Sequence, residues 1–149
     1  RAKFQQLKAE DNLQNFIKVF DYLATRKDCN GKFGCVGFCW GGAMSNNLAV
    51  NVPSLKAAVP FYGRQPAAED VVKIKAAIQL HYGALDEGVN KGIVAYEEAL
   101  KSNKIIYELH MYEGAQNAFH NDTAPTRYNE AAAKLAWQRT IEFFGKHLK

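Results

Sequence analysis

Cys39 stands in the run Gly37-Phe38-Cys39-Trp40-Gly41-Gly42, between a strand pattern and a helix pattern. A nucleophile on so sharp a strand-to-helix turn is pushed into an open crevice, and small residues around it let the backbone fold that tightly. The helix beginning there aims its first N–H groups and a positive dipole end at the same crevice. Both favour a thiolate and the oxyanion formed when it attacks a carbonyl. The N–H of Trp40, directly after the cysteine, is the expected donor for half of an oxyanion hole. The chemistry implied is acyl transfer through a cysteinyl thioester.

The other chemistry-bearing residues carry less. Cys29 and Cys35 read as small buried hydrophobes. Three cysteines without a Cys-x-x-Cys pair give neither a disulfide framework nor a zinc site. No metal and no cofactor are expected, because G-x-G-x-x-G, a P-loop and H-E-x-x-H are all missing. His81 and His110 fall inside strand patterns and read as structural, and His147 near the C-terminus reads as solvated.

Alternating elements must position the turn. Leu13, Phe16, Ile17, Phe20 and Leu23 give residues 10–24 one apolar helical face, with Asp11 and Gln14 as a capping pair. Strands are expected over residues 32–38, 55–62, 76–82 and 105–112, with Pro60 near the end of its strand. Helices are expected over 43–50, 90–102 and 129–147, the last with Ala133, Trp137, Ile141, Phe144 and Leu148 facing inward. Residues 64–75 read as an irregular surface loop. Strands alternating with helices imply one α/β domain over residues 1–149, a mostly parallel sheet covered by helices on both faces.

Composition sets the outer bounds. The chain has 149 residues, 48% of them hydrophobic and 23% charged, which fits an ordinary globular domain and not disorder. No stretch reaches the roughly 18 apolar residues of a membrane span, and no export signal is legible, so a cytoplasmic protein is expected. A net charge of +4 without a Lys/Arg cluster argues against nucleic acid as a partner.

From Gly34 onward the chain resembles the dienelactone hydrolase family, the α/β-hydrolase branch with a cysteine nucleophile. Tyr82-Gly83-Ala84-Leu85-Asp86 is similar to the family's strand-end G-x-x-D, so the resemblance makes Asp86 the triad acid. The run from Tyr112 to Phe119, Y-E-G-A-Q-N-A-F, is similar to the loop that normally reads G-A-x-H-A-F and supplies the triad histidine. The order nucleophile, acid, base is kept. The fold implied is an α/β-hydrolase-like three-layer sandwich.

Three departures matter. The histidine position is Asn117, and an amide cannot serve as general base near neutral pH. His120, three residues on, is a possible substitute, with a loop-capping role as the preferred reading. The arginine that family members place just after the histidine-x-Phe run is Asn121 here, while Arg64 and Arg127 read as solvated. The strands, second oxyanion N–H and activating glutamate that the family carries upstream have no counterpart before Glu10, so the chain reads as the C-terminal part of the domain. Residues 32–38 would then form an apolar sheet edge, predicting a homo-oligomer or association through that edge.

The expected activity is hydrolysis of a small ester or lactone, impaired at Asn117, with Phe61, Tyr62 and Phe119 walling the substrate pocket. The alternative is a non-catalytic α/β-hydrolase-like domain that binds a small molecule or a protein.

Overall fold

The computed structural model describes residues 6–149. Helix α1 (Ala9–Ala24) leads into β1 (Gly34–Phe38), α2 (Trp40–Asn51) and β2 (Ala57–Phe61). A 3₁₀ helix (Ala68–Lys73) precedes β3 (Ala77–Gly83), α3 (Glu87–Asn90), α4 (Ile93–Ser102), β4 (Tyr107–Tyr112) and α5 (Glu130–His147). The four strands pair in the order β1-β2-β3-β4. Every pairing is parallel, with Val36 opposite Val59 and Leu80 opposite Leu109.

Strand periodicity divides the core in two. Ala58, Ile78, Leu80 and Tyr82 face one side, where Met44 and Leu48 of α2 and Tyr96 and Leu100 of α4 cover them. Ala57, Val59, Phe61 and Ala77 face the other, under Ala132, Ala136 and Phe143 of α5. Strands β2 and β3 are buried along their whole length, which explains why they read as continuous apolar runs. The sequence therefore yields the three-layer α/β arrangement expected of it.

Several local expectations need correction. Helix α1 begins at Ala9 after Lys8, whose side chain makes no cap, so Asp11 already lies within the first turn. Gln14 donates instead to Glu10 Oε1 at 3.1 Å. The segment read as a surface loop contains the 3₁₀ helix, and Val71 and Ile74 are fully buried. The inward face of α5 is partly as expected, with Ala133 buried and Phe144 and Leu148 packed on the core, but Ala132, Ala136, Thr140 and Phe143 are buried as well, while Trp137 and Ile141 are exposed. Alanines let the helix approach the sheet closely, and the larger side chains are left outside. His147 is half-buried and packs on Phe143 with ring centroids 4.4 Å apart, rather than being solvated.

His81 is structural, as expected. Its ring is fully buried and stacks on Phe61 at 4.3 Å. Gln79 Nε2 donates to Glu108 Oε2 at 2.7 Å, which leaves Gln79 Oε1 to accept from His81 Nε2 at 3.0 Å. His81 Nδ1 then accepts the Tyr112 hydroxyl at 2.8 Å, and that same oxygen accepts from Arg139 at 3.2 Å. These partners suit a neutral imidazole. Burial above all, with the neighbouring His110 and Arg139, pushes its pKa down to about 2.

The linkage sign follows. Above the ordinary histidine pKa near 6.5 both states are neutral and His81 contributes no pH dependence. Below it the unfolded chain takes a proton that the native state refuses, so stability falls with pH. The slope from this one group reaches about 1.4 kcal/mol per pH unit, continuing toward pH 2. His110, also lowered chiefly by burial, adds in the same direction. Urea midpoints measured at pH 7, 5.5 and 4.5 should fall steadily, and a constant midpoint would contradict this account.

Candidate active site

Cys39 sits between the end of β1 and the first residue of α2 with φ 52° and ψ −114°. A non-glycine residue adopts that conformation only when its surroundings enforce it. Here its N–H donates to Phe61 O at 3.1 Å, and its carbonyl accepts from Ala43 N at 3.0 Å. Gly37 makes the turn possible, since a Cβ there would stand 2.7 Å from Ser45 Oγ and run into the backbone of Gly41.

The loops after β3 and β4 bring the partners. Leu85 N–H donates to Ala115 O at 2.9 Å, joining the two loops directly. Gly83 allows it: a Cβ at that position would come within 2.6 Å of Ala115 O and 2.8 Å of Gln116 O. Asp86 caps α3, accepting from Val89 N–H at 3.2 Å through Oδ1. Its Oδ2 accepts from Asn117 Nδ2 at 2.7 Å. A carboxylate oxygen accepts, so the Asn117 amide must turn its NH₂ to Asp86 and its Oδ1 outward. That oxygen accepts from Cys39 Sγ at 3.6 Å. The structure thus joins Cys39, Asn117 and Asp86 in one chain of hydrogen bonds.

Burial pushes the Cys39 pKa up, Arg127 opposes that and Asp86 adds to it. Burial and Asp86 thus work against the ionisation that the start of the helix is expected to favour. An imidazole at residue 117 would take the proton, whereas an amide oxygen only accepts the hydrogen bond.

Two cavities reach Cys39. One of about 280 Å³ is lined by Phe38, Cys39, Tyr62, Ala118, His120 and Asn121. The other, about 360 Å³, includes Cys39, Trp40, Tyr62, Arg64 and Asn117. Tyr62 stands in both walls, whereas Phe61 and Phe119 are fully buried in the core beneath it. Trp40 opens α2, with its ring 6.4 Å from that of Phe16. Arg64, read as solvated, lies exposed at the rim of the second cavity, and the charge of Arg127 bears on the Cys39 sulfur. His120 lines the first cavity, but its Nε2 is sealed from solvent without a hydrogen-bond partner. Its ring is wedged against Phe38, Phe61 and Trp137 at 5.2, 5.4 and 5.8 Å.

Sequence reasoning missed Phe38 as a wall, although its place immediately before Cys39 puts it at the crevice. It also missed Ala118, whose φ of 66° turns the chain just after Asn117. Among the described residues there is no cluster of three or more His, Cys, Asp and Glu that could hold a metal ion, and all three cysteines are unbridged. No helix among them is long and apolar enough to cross a membrane.

The sequence profile of the dienelactone hydrolase family matches residues 2–148. The chain belongs to this family. It is 34% identical to a Saccharolobus solfataricus protein named as a carboxymethylenebutenolidase, over 93% of this chain and 53% of that one. A Klebsiella pneumoniae structure described as a dienelactone hydrolase superposes with a TM-score of 0.83 at 27% identity, covering 91% of this chain and 60% of the other. The dienelactone hydrolase of Anabaena variabilis gives a TM-score of 0.68, also at 27% identity, with 92% and 60% covered. The chain spans about half the length of the curated relatives it matches. Its α/β architecture is therefore that of dienelactone hydrolases.

Proposed function

We propose that this dienelactone hydrolase-like chain acts on a small ester or lactone through Cys39, with Asn117 leaving it slow to release the acyl group. The single observation behind this reading is the hydrogen-bonded chain from Cys39 Sγ through Asn117 to Asp86, 3.6 and 2.7 Å in its two links. The Cys39 thiolate adds to the carbonyl carbon. The oxygen takes up the negative charge beside the Trp40 amide, and collapse expels the alkoxide, leaving a thioester. Hydrolysis of that thioester requires an activated water, and Asn117 can orient a water without deprotonating it. Tyr62, Phe38 and the stem of Arg64 give the acyl group its walls.

The test is a single-turnover one. Incubated with p-nitrophenyl acetate, the protein should accumulate one acetyl group on Cys39, visible by mass spectrometry and absent in Cys39→Ala. Because the thiol pKa is raised, the thiolate fraction keeps growing between pH 7 and 9, and the acylation rate should climb about tenfold per unit there. An unmodified Cys39 at pH 9 would count against the reading. It would favour a non-catalytic binding domain, which the amide at residue 117 and the raised thiol pKa also fit.

Self-association belongs to the same proposal. Strand β1 is a sheet edge among the described residues, and Val36 and Phe38 on it are each 37% exposed. Two copies of one strand pair by two-fold symmetry with no further requirement on sequence. Light scattering should show the mass rising above a monomer with concentration; a constant monomer mass removes the idea.

A further inference from the structure

A third hollow, about 340 Å³, lies between the 120–128 loop and α5 and shares His120 with the smaller of the two Cys39 cavities. Tyr128, Trp137 and His120 line it, and Asp122 stands at its rim. Trp137 is 42% exposed there, and its ring meets that of His120 edge-on. The Asp122 carboxylate has neither an ion pair nor a side-chain hydrogen bond among the described residues. Lys134 also borders the hollow, but its Nζ is held by Glu130 Oε1 at 2.6 Å, one turn back along α5.

We propose that this hollow binds a small quaternary ammonium cation. Aromatic faces attract a positive charge through their quadrupole, most strongly for tryptophan, and a nearby carboxylate adds a direct Coulomb attraction. The donor count selects the class. A primary ammonium or a guanidinium carries several N–H donors that need acceptors when desolvated, and beside the Asp122 carboxylate the lining offers the Tyr128 hydroxyl and the Gln138 carboxamide, His120 Nε2 being sealed from solvent. A trimethylammonium head has no donors to satisfy and presents methyl groups to Trp137, Tyr128 and Ala133. A neutral apolar ligand would cover Asp122 without compensating its lost hydration. The site stands apart from the proposed ester chemistry and does not depend on it.

Choline is the probe, and 3,3-dimethylbutan-1-ol, in which carbon replaces the charged nitrogen, is the control of the same shape. By isothermal titration calorimetry, choline should bind about tenfold or more tighter than the alcohol. Asp122→Asn keeps shape and removes the charge, and Trp137→Leu keeps apolar bulk and removes the ring face. Each should weaken choline about tenfold, with the far-ultraviolet spectrum and melting temperature unchanged, since both side chains are exposed. Three results would each overturn the proposal: no heat with millimolar choline, equal affinity for the neutral alcohol, or full affinity in Asp122→Asn.

Discussion

Asn117→His is expected to turn a stoichiometric acylation into turnover. The substitution puts an imidazole between Asp86 Oδ2 and Cys39 Sγ, where the amide now links them at 2.7 and 3.6 Å. Asp86 would hold one ring nitrogen as the donor, leaving the other to take the thiol proton and later to activate water. General-base catalysis of this kind contributes roughly 10²–10⁴-fold, so steady-state hydrolysis of p-nitrophenyl acetate should rise by about that factor. The gain must vanish in the double variant with Cys39→Ala. A variant that folds, carries the histidine and turns over no faster than the parent would show that the scaffold, and not residue 117, limits the chemistry.

Phe61→Ala is expected to give the largest loss of stability. The ring is fully buried, stacked on His81 at 4.3 Å and packed against Phe38 at 4.6 Å. Truncation opens a cavity at the middle of the sheet and strips the apolar cover from a buried imidazole. Losses for buried phenylalanines run to about 3–5 kcal/mol, and this site should lie in that range by urea unfolding. A loss below about 1 kcal/mol would place the ring outside the cooperative core.

What the sequence disclosed, it disclosed through spacing. Apolar runs of strand length between helical stretches predict all four strands. The small residues around Cys39 mark the sharp turn that φ 52° confirms. Asp86 and Asn117 came from resemblance to a family pattern, and the loops do bring them together. The failures share a cause in packing geometry. Trp137 and Ile141 on α5 were assigned to the core, but Ala132 and Ala136 permit the closer approach and occupy the buried face in their place. Val71 and Ile74 lie in a stretch too short and polar to show a period, yet both are fully buried. Phe61 and Phe119 look like pocket walls because they adjoin site residues, but alternation along β2 sends Phe61 inward and the turn at Ala118 carries Phe119 into the core.

The all-parallel order has a consequence for how the protein acquires its site. Among the described residues no strand pairs with its neighbour through a hairpin; each pairing waits for a crossover to close, which places slow, long-range contacts on the folding path. Cys39 follows β1 at one edge, Asp86 follows β3, and Asn117 follows β4 at the other edge. A chain with any strand still undocked lacks the three-residue constellation altogether. Refolding should therefore restore the hydrogen-bonded chain from Cys39 through Asn117 to Asp86 only with its final phase.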